Sequence, residues 1–365
     1  MKDQQTPAES SREWFLDFLR IAATYGIVML HMSPLDTDIY GVETAPWKTF
    51  ICMSILFRWC VPAFFMISGA LFLSPRKTLN IKKLYAKTIF RMVCSFLFWS
   101  GLYAMAHCII MDKGKWTFLN QWLRGHYHMW YVFVAIGLYI LTPVLRGLTQ
   151  SRKLTEYYLI IGFVFTYLLP RALSLLLLFN PPHADVIQSF QAAVSQINPL
   201  AGKHALYFYV LGYYLHEYPL RRPVRLCLYL AGAASCILMM LLTIWHSAYT
   251  GAVSALFYGT ESMLTLLFAA GVYTGFRQAF EGVEVIGRCR KVVLQLSACS
   301  YGVYLIHPFL LERIPHALAP RPLSLIVGMP LIAGTFYLLA LGVSFALLHI
   351  PVLKRLKEHY NISIL

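Results

Sequence analysis

A chain of 365 residues that is 58% hydrophobic and only 13% charged lies far from the roughly 45–50% apolar and 25% charged mix of soluble domains, which excludes a water-soluble globule. Its formal net charge of +15 would suggest nucleic acid for a soluble protein. Membrane proteins concentrate Lys and Arg in cytoplasmic loops, so the surplus is expected without any nucleic-acid partner. The eight cysteines, at 52, 60, 94, 108, 227, 236, 289 and 299, show no C-x-x-C spacing and lie mostly in apolar runs. Neither a metal site nor a disulfide framework is expected from them.

A helical span needs about 20 mostly apolar residues, and ten such runs occur, near 14–33, 48–73, 87–111, 129–149, 156–179, 200–218, 224–245, 253–276, 292–313 and 323–350. The expected fold is all-α, a polytopic membrane protein of about ten transmembrane helices. It forms one integral membrane domain over residues 1–365, with short loops and no fused soluble domain. The first run lacks a basic leader followed by a small-residue cleavage site, so it is expected to remain as a span. With the N-terminus in the cytoplasm, twenty of the 31 Lys and Arg fall in cytoplasmic segments and seven on the far side. That asymmetry predicts both termini inside. The remaining four, Arg20, Arg58, Arg91 and Arg171, lie inside spans, where a guanidinium costs roughly 2.5–3.5 kcal/mol on insertion scales and usually faces a bundle interior or a wet cavity.

The first run, FLDFLRIAATYGIVMLHM from 15 to 32, places Arg20 and His31 eleven residues apart. On a helix that is close to three turns, so both project from one face about 16 Å apart along the axis. A planar guanidinium suits a phosphate or pyrophosphate, and a near-neutral imidazole suits proton transfer to or from a hydroxyl. Asp17 is placed either to orient Arg20 at i,i+3 or simply to favour the first helical turn. In the second run, FRWCVPAFFMISGALF, Arg58 sits too deep to snorkel easily, while Ser68 and Gly69 leave room for a neighbouring helix or an elongated ligand. Arg20 and Arg91, near the cytoplasmic ends of the first and third runs, can each snorkel to headgroups or face the interior. Before the fourth run, His128, Trp130 and Tyr131 mark the outer boundary, where an aromatic belt is the plainer reading. Arg171 follows a helix-breaking proline in LLPRALS. Glu261, in the outer half of the eighth run, has either a proton role or the role of a buried partner for an arginine such as Arg171. In the ninth run, Tyr301, Tyr304 and His307 share one stripe near the outer surface.

Four segments together carry a resemblance. They are D-F-L-R followed by ten residues and His31, V-P-A-F-F-M-I-S-G at 61–69, H-M-W-Y with L-Y-I-L-T-P between 128 and 143, and S-Y-G-V-Y-L-I-H-P at 300–308. In order and spread, they resemble the acyltransferase 3 family of bacterial membrane O-acyltransferases that modify O-antigen, enterobacterial common antigen, exopolysaccharides and similar glycans. The version around Arg58 looks closest to the enterobacterial common antigen branch. The resemblance implies a bacterial inner-membrane enzyme that takes an acyl group, usually acetyl, from cytoplasmic acyl-CoA. No permanently bound cofactor and no metal is implied. The acceptor would be a hydroxyl of a glycan or lipid-linked sugar across the membrane. It places Arg20 and His31 at the family's essential first-span pair and points to Arg91 for donor binding, although the family often pairs that arginine as Arg-x-x-Arg and here the nearest upstream base is Lys87.

The expected site therefore has His31 and Arg20 as catalytic residues and Arg20, Arg58, Arg91, Ser68 and Gly69 around the donor. His128, Trp130, Tyr131, Tyr304, His307 and Glu261 stand on the acceptor side. His31 would act as general base or carry the acyl group itself, and the sequence leaves these two open. The competing class is a secondary transporter or flippase for an anionic or sugar-linked substrate. Neither an inverted repeat nor paired broken helices favours it.

Overall fold

The structure, a computed structural model, describes residues 12–32, 40–111, 114–179, 181–197, 204–312 and 322–351. Among these the chain is helical, with no strand. The helices are α1 (Trp14–Met32), α2 (Ala45–Leu56), α3 (Cys60–Phe72), α4 (Phe90–Ile110), α5 (Lys115–Arg124), α6 (Trp130–Thr149), α7 (Arg152–Gly162), α8 (Leu169–Leu177), α9 (Ala184–Ile197), α10 (His204–Glu217), α11 (Arg222–Thr250), α12 (Met263–Ala279), α13 (Gly287–Leu311) and α14 (Pro322–His349).

Eight segments among the described residues are long and apolar enough to cross a bilayer. They correspond to eight of the ten expected runs. The other two form shorter helices. In the expected span 200–218, residues 200–203 lie outside the described residues, and α10 covers 14 residues, about 21 Å at the helical rise. In the expected span 253–276, α11 ends at Gly251 in the left-handed conformation and turns follow until Ser262 caps α12 with its hydroxyl. The apolar composition of 253–262 is thus spent on turns, which corrects the placement of Glu261: it lies in the loop before α12 and not within a span. The second run is also divided. A turn at 57–59 separates α2 from α3, and Pro62 falls in the first turn of α3, where its missing N–H costs nothing.

The buried centre of the bundle is α1, which packs against α3, α12, α13 and α14. Leu19, Ala23, Val28 and Met29 are completely enclosed, so its remaining face is free to present polar groups inward. Apolar burial gives little drive to helix association inside a lipid bilayer, and close contact between small residues takes over. The α3–α10 pair shows this. A Cβ on Gly69 would stand 1.7 Å from the Tyr209 carbonyl oxygen, and one on Gly212 would stand 2.2 Å from the backbone of Met66. Gly69 is therefore occupied in holding two backbones together and does not reach a ligand. Polar groups in the same layer find internal partners: Tyr209 Oη pairs with Thr142 Oγ1 at 2.8 Å, and Tyr213 Oη donates to the Thr149 carbonyl at 3.1 Å.

Gly69→Leu and Gly212→Leu are each expected to cost at least the ~1–3 kcal/mol of core overpacking. Thermal unfolding in detergent should show a lowered midpoint for both. Gly137→Ala, where a Cβ meets nothing within 4 Å, should leave the midpoint unchanged.

Candidate active site

A cavity of about 420 Å³ runs along the inward face of α1. Arg20 and His31 both line it, as their spacing on one helical face requires. Its wall also includes Ser68 from α3, Thr88 from the π-helical turn Leu84–Ile89, Tyr139 from α6 and Ser297, Tyr301 and Tyr304 from α13. His128, Trp130 and Tyr131 complete it around the start of α6. Seven of the residues expected from the sequence thus meet around one space: Arg20, His31, Ser68, His128, Trp130, Tyr131 and Tyr304.

At one end, Arg20 is held by a relay of polar contacts. Its Nη1 donates to Ser297 Oγ at 2.9 Å, and that hydroxyl donates to Asp17 Oδ1 at 2.6 Å. The direct Arg20–Asp17 separation is 3.5 Å. Arg12 makes a two-pronged contact with the same carboxylate at 2.8 and 2.9 Å. Asp17 is therefore an orienting group as well as a first-turn acid, and Ser297 is the intermediary that no local pattern could reveal. Among the described residues only Nη1 of Arg20 is engaged, which leaves Nε and Nη2 for an anion.

At the other end, His31 Nδ1 lies 3.0 Å from the Ile27 carbonyl and 2.9 Å from His307 Nε2. His307, fully buried, places its own Nδ1 3.0 Å from the Val303 carbonyl. A carbonyl only accepts, so His307 carries its proton on Nδ1 and offers Nε2 as a lone pair. His31 then donates from Nδ1, shared between Ile27 and His307, and its Nε2 lone pair is the one left for the cavity. This tautomer follows from the hydrogen-bond geometry. Pro308 interrupts α13 one residue beyond His307. It withholds an N–H from the α13 ladder, and Tyr103 Oη enters the opening, donating to Leu305 O at 2.9 Å and accepting from Phe309 N at 3.1 Å. His307 does not line the cavity, so the structure assigns it to holding His31. Tyr304 Oη donates to the His128 carbonyl at 2.5 Å and holds that loop against α13.

Four expected site residues lie elsewhere. Gly69 is the α3–α10 contact already described. Arg58 occupies the turn between α2 and α3, donates to Ser54 Oγ at 3.0 Å and stacks over Tyr258 at 4.2 Å. That turn sits beside the middle of α1, since Gly26 faces Phe57 and Cys60. Arg58 thus stands outside the cavity lining, and its Nε is buried with no hydrogen-bond partner among the described residues. Arg91 stands outside the cavity lining, although its neighbours Thr88 and Met92 on the same turn belong to it. Glu261 interacts electrostatically with Arg58, Arg171 and His204 and does not reach the cavity.

A helical membrane bundle thus carries a cation at one end of this cavity and paired imidazoles at the other. The sequence profile of the acyltransferase domain family matches residues 13–349, and the chain belongs to that family of membrane acyltransferases. No curated protein matches the chain, and no solved structure does.

His307→Ala should lower kcat for acyl transfer by about 10–100-fold, the size expected when a partner orienting an essential imidazole is lost. His307→Gln, whose amide oxygen can still accept from His31 Nδ1, should recover part of it. Ser297→Ala should act at the opposite end, raising the donor KM while changing kcat little. Steady-state kinetics on the purified variants separates the two effects.

Proposed function

We propose that the protein transfers an acetyl group from acetyl-CoA to a hydroxyl of a cell-surface or lipid-linked glycan, as a multi-pass enzyme of the bacterial inner membrane. The observation that carries the reading is the joint placement of Arg20 and His31 at opposite ends of one cavity, with His31 Nδ1 tied to Ile27 and His307. The donor's anionic head meets Arg20 through a charge-assisted fork, and its thioester arm runs along the cavity toward His31.

The tautomer suits His31 to the part of general base. His31 Nε2 removes the proton of the acceptor hydroxyl as the oxygen attacks the thioester carbonyl, forming a tetrahedral intermediate. The carbon–sulfur bond breaks, the ester is released, and the imidazolium returns the proton to the departing thiolate, giving CoA thiol. His307 Nε2 and the Ile27 carbonyl face the Nδ1–H of the transient imidazolium and stabilise it, which is the part an orienting acceptor plays in any imidazole-based transfer. Tyr139, hydrogen-bonded to Ser68 at 3.3 Å, and Tyr301 supply the wall beside the arm.

Reconstituted protein given labelled acetyl-CoA and the glycans of its host should move label onto glycan. His31→Ala should lose activity by about 10²–10⁴-fold, the typical contribution of a general base. Arg20→Lys should weaken donor binding while keeping charge. Normal transfer by His31→Ala, or uptake of substrate into proteoliposomes with no transfer of label, contradicts the proposal.

A further inference from the structure

The transfer just described leaves one polar chain at the His31 end unused. Glu312 Oε1, at the end of α13, lies 3.2 Å from His126 Nε2. His126 Nδ1 lies 2.9 Å from His128 Nδ1. His128 is 1% exposed, lines the same cavity as His31, and its Nε2 is buried with no hydrogen-bond partner among the described residues.

The protons in this chain can be assigned. A carboxylate only accepts, so the neutral His126 ring carries its proton on Nε2 and a lone pair on Nδ1. His128 must then donate from Nδ1, which leaves a bare lone pair on Nε2. The stacking of His126 on Tyr103, with ring centroids 4.2 Å apart, and the Tyr304 hydrogen bond to the His128 carbonyl fix both rings. A second pocket of about 450 Å³, lined by Arg124, Tyr127 and Glu312 among others, opens on the other side of His126. The carboxylate therefore lines this second pocket, and His128 lines the reaction cavity.

His31 and His128 both line this space, with ring centroids 6.5 Å apart, and each keeps one bare acceptor nitrogen. A single hydroxyl has one proton and satisfies one of them. A buried acceptor without a partner is costly, and a site built around one discriminates strongly against a ligand that cannot fill it. We propose that His128 Nε2 accepts a hydrogen bond from a second hydroxyl, adjacent to the one being acylated, so that the acceptor is recognised as a vicinal diol of a sugar ring. His126 and Glu312 are its positioning residues, acting through the tautomer. The proposal rests on the transfer reading above and adds to it the feature of the acceptor that is read.

The test compares a glycoside acceptor with its two monodeoxy analogues, each lacking one hydroxyl beside the position that product NMR shows to be acylated. The wild-type protein should lose on the order of a hundredfold in kcat/KM on one analogue, the size expected from leaving a buried acceptor unpaired. His128→Ala should lose a similar factor on the parent and treat parent and analogue alike, and His128→Gln should restore part of the preference. Equal rates of the wild-type protein on all three acceptors, or an undiminished preference in His128→Ala, would overturn the proposal. Nitrogen-15 NMR of labelled histidines provides a readout that needs no turnover. His128 Nε2 should be unprotonated in the wild-type protein and become protonated in Glu312→Gln, whose amide can donate to His126 Nε2 and reverse the chain. A protonated His128 Nε2 in the wild-type protein would overturn the proposal whatever the activity. Failure to transfer acetyl to any acceptor, with the tautomers as expected, would count against the donor chemistry alone.

Discussion

The seam between α1 and α13 is the constraint on which the rest of the structure depends. It is fastened by hydrogen bonds at both ends, Arg20 and Asp17 to Ser297 at one and His31 to His307 at the other. In an apolar bundle each unsatisfied polar group costs several kcal/mol, so these contacts have few competitors. They hold two expensive side chains on a helix that is otherwise enclosed, and they fix which atoms face the cavity. The donor fork of Arg20 and the Nε2 of His31 are what remain after internal partners have been supplied.

This seam also links the fold to the chemistry. Helix α1 keeps its position because α3 and α14 close over its other faces, and α3 keeps its own through the glycine contact with α10. Close backbone approach in that layer leaves no tolerance for displacement, which suits a site where about an ångström of misplacement costs two orders of magnitude in rate. The break in α13 at Pro308 is local and compensated. Tyr103 takes up the freed backbone groups and, by stacking on His126, joins the break to the neighbouring loop.

Much of this was readable in the sequence for a physical reason. An arginine and a histidine three turns apart in an apolar run share a face, and the cavity decides between headgroups and the interior for Arg20, which lines it together with His31. The Tyr301–Tyr304 stripe and the His128–Tyr131 stretch converged on the same space because the bundle brings α13 beside α6. The misplacements came from the ambiguity of single residues. A buried arginine serves a ligand or neutralises its own neighbourhood, and Arg58 does the second through Ser54 and Tyr258. A small pair such as Ser68–Gly69 divides its roles: the hydroxyl lines the cavity and the glycine packs. Ser297 was not legible, because its contacts with Arg20 and Asp17 span 277 and 280 residues. The Glu312–His126 pairing was equally hidden. An apolar count also cannot tell the turns at 253–262 from helix, since it weighs composition and not backbone conformation.

One cavity is expected to hold the whole donor arm, and a structure of the protein with a non-transferable thioether analogue of acetyl-CoA tests this directly. The acyl carbon should lie about 3–3.5 Å from the acceptor oxygen position that His31 Nε2 addresses, with the anionic head of the analogue against Arg20. An analogue bound with its head at the His128 end, or with its acyl group outside the α1–α13 cavity, would contradict it.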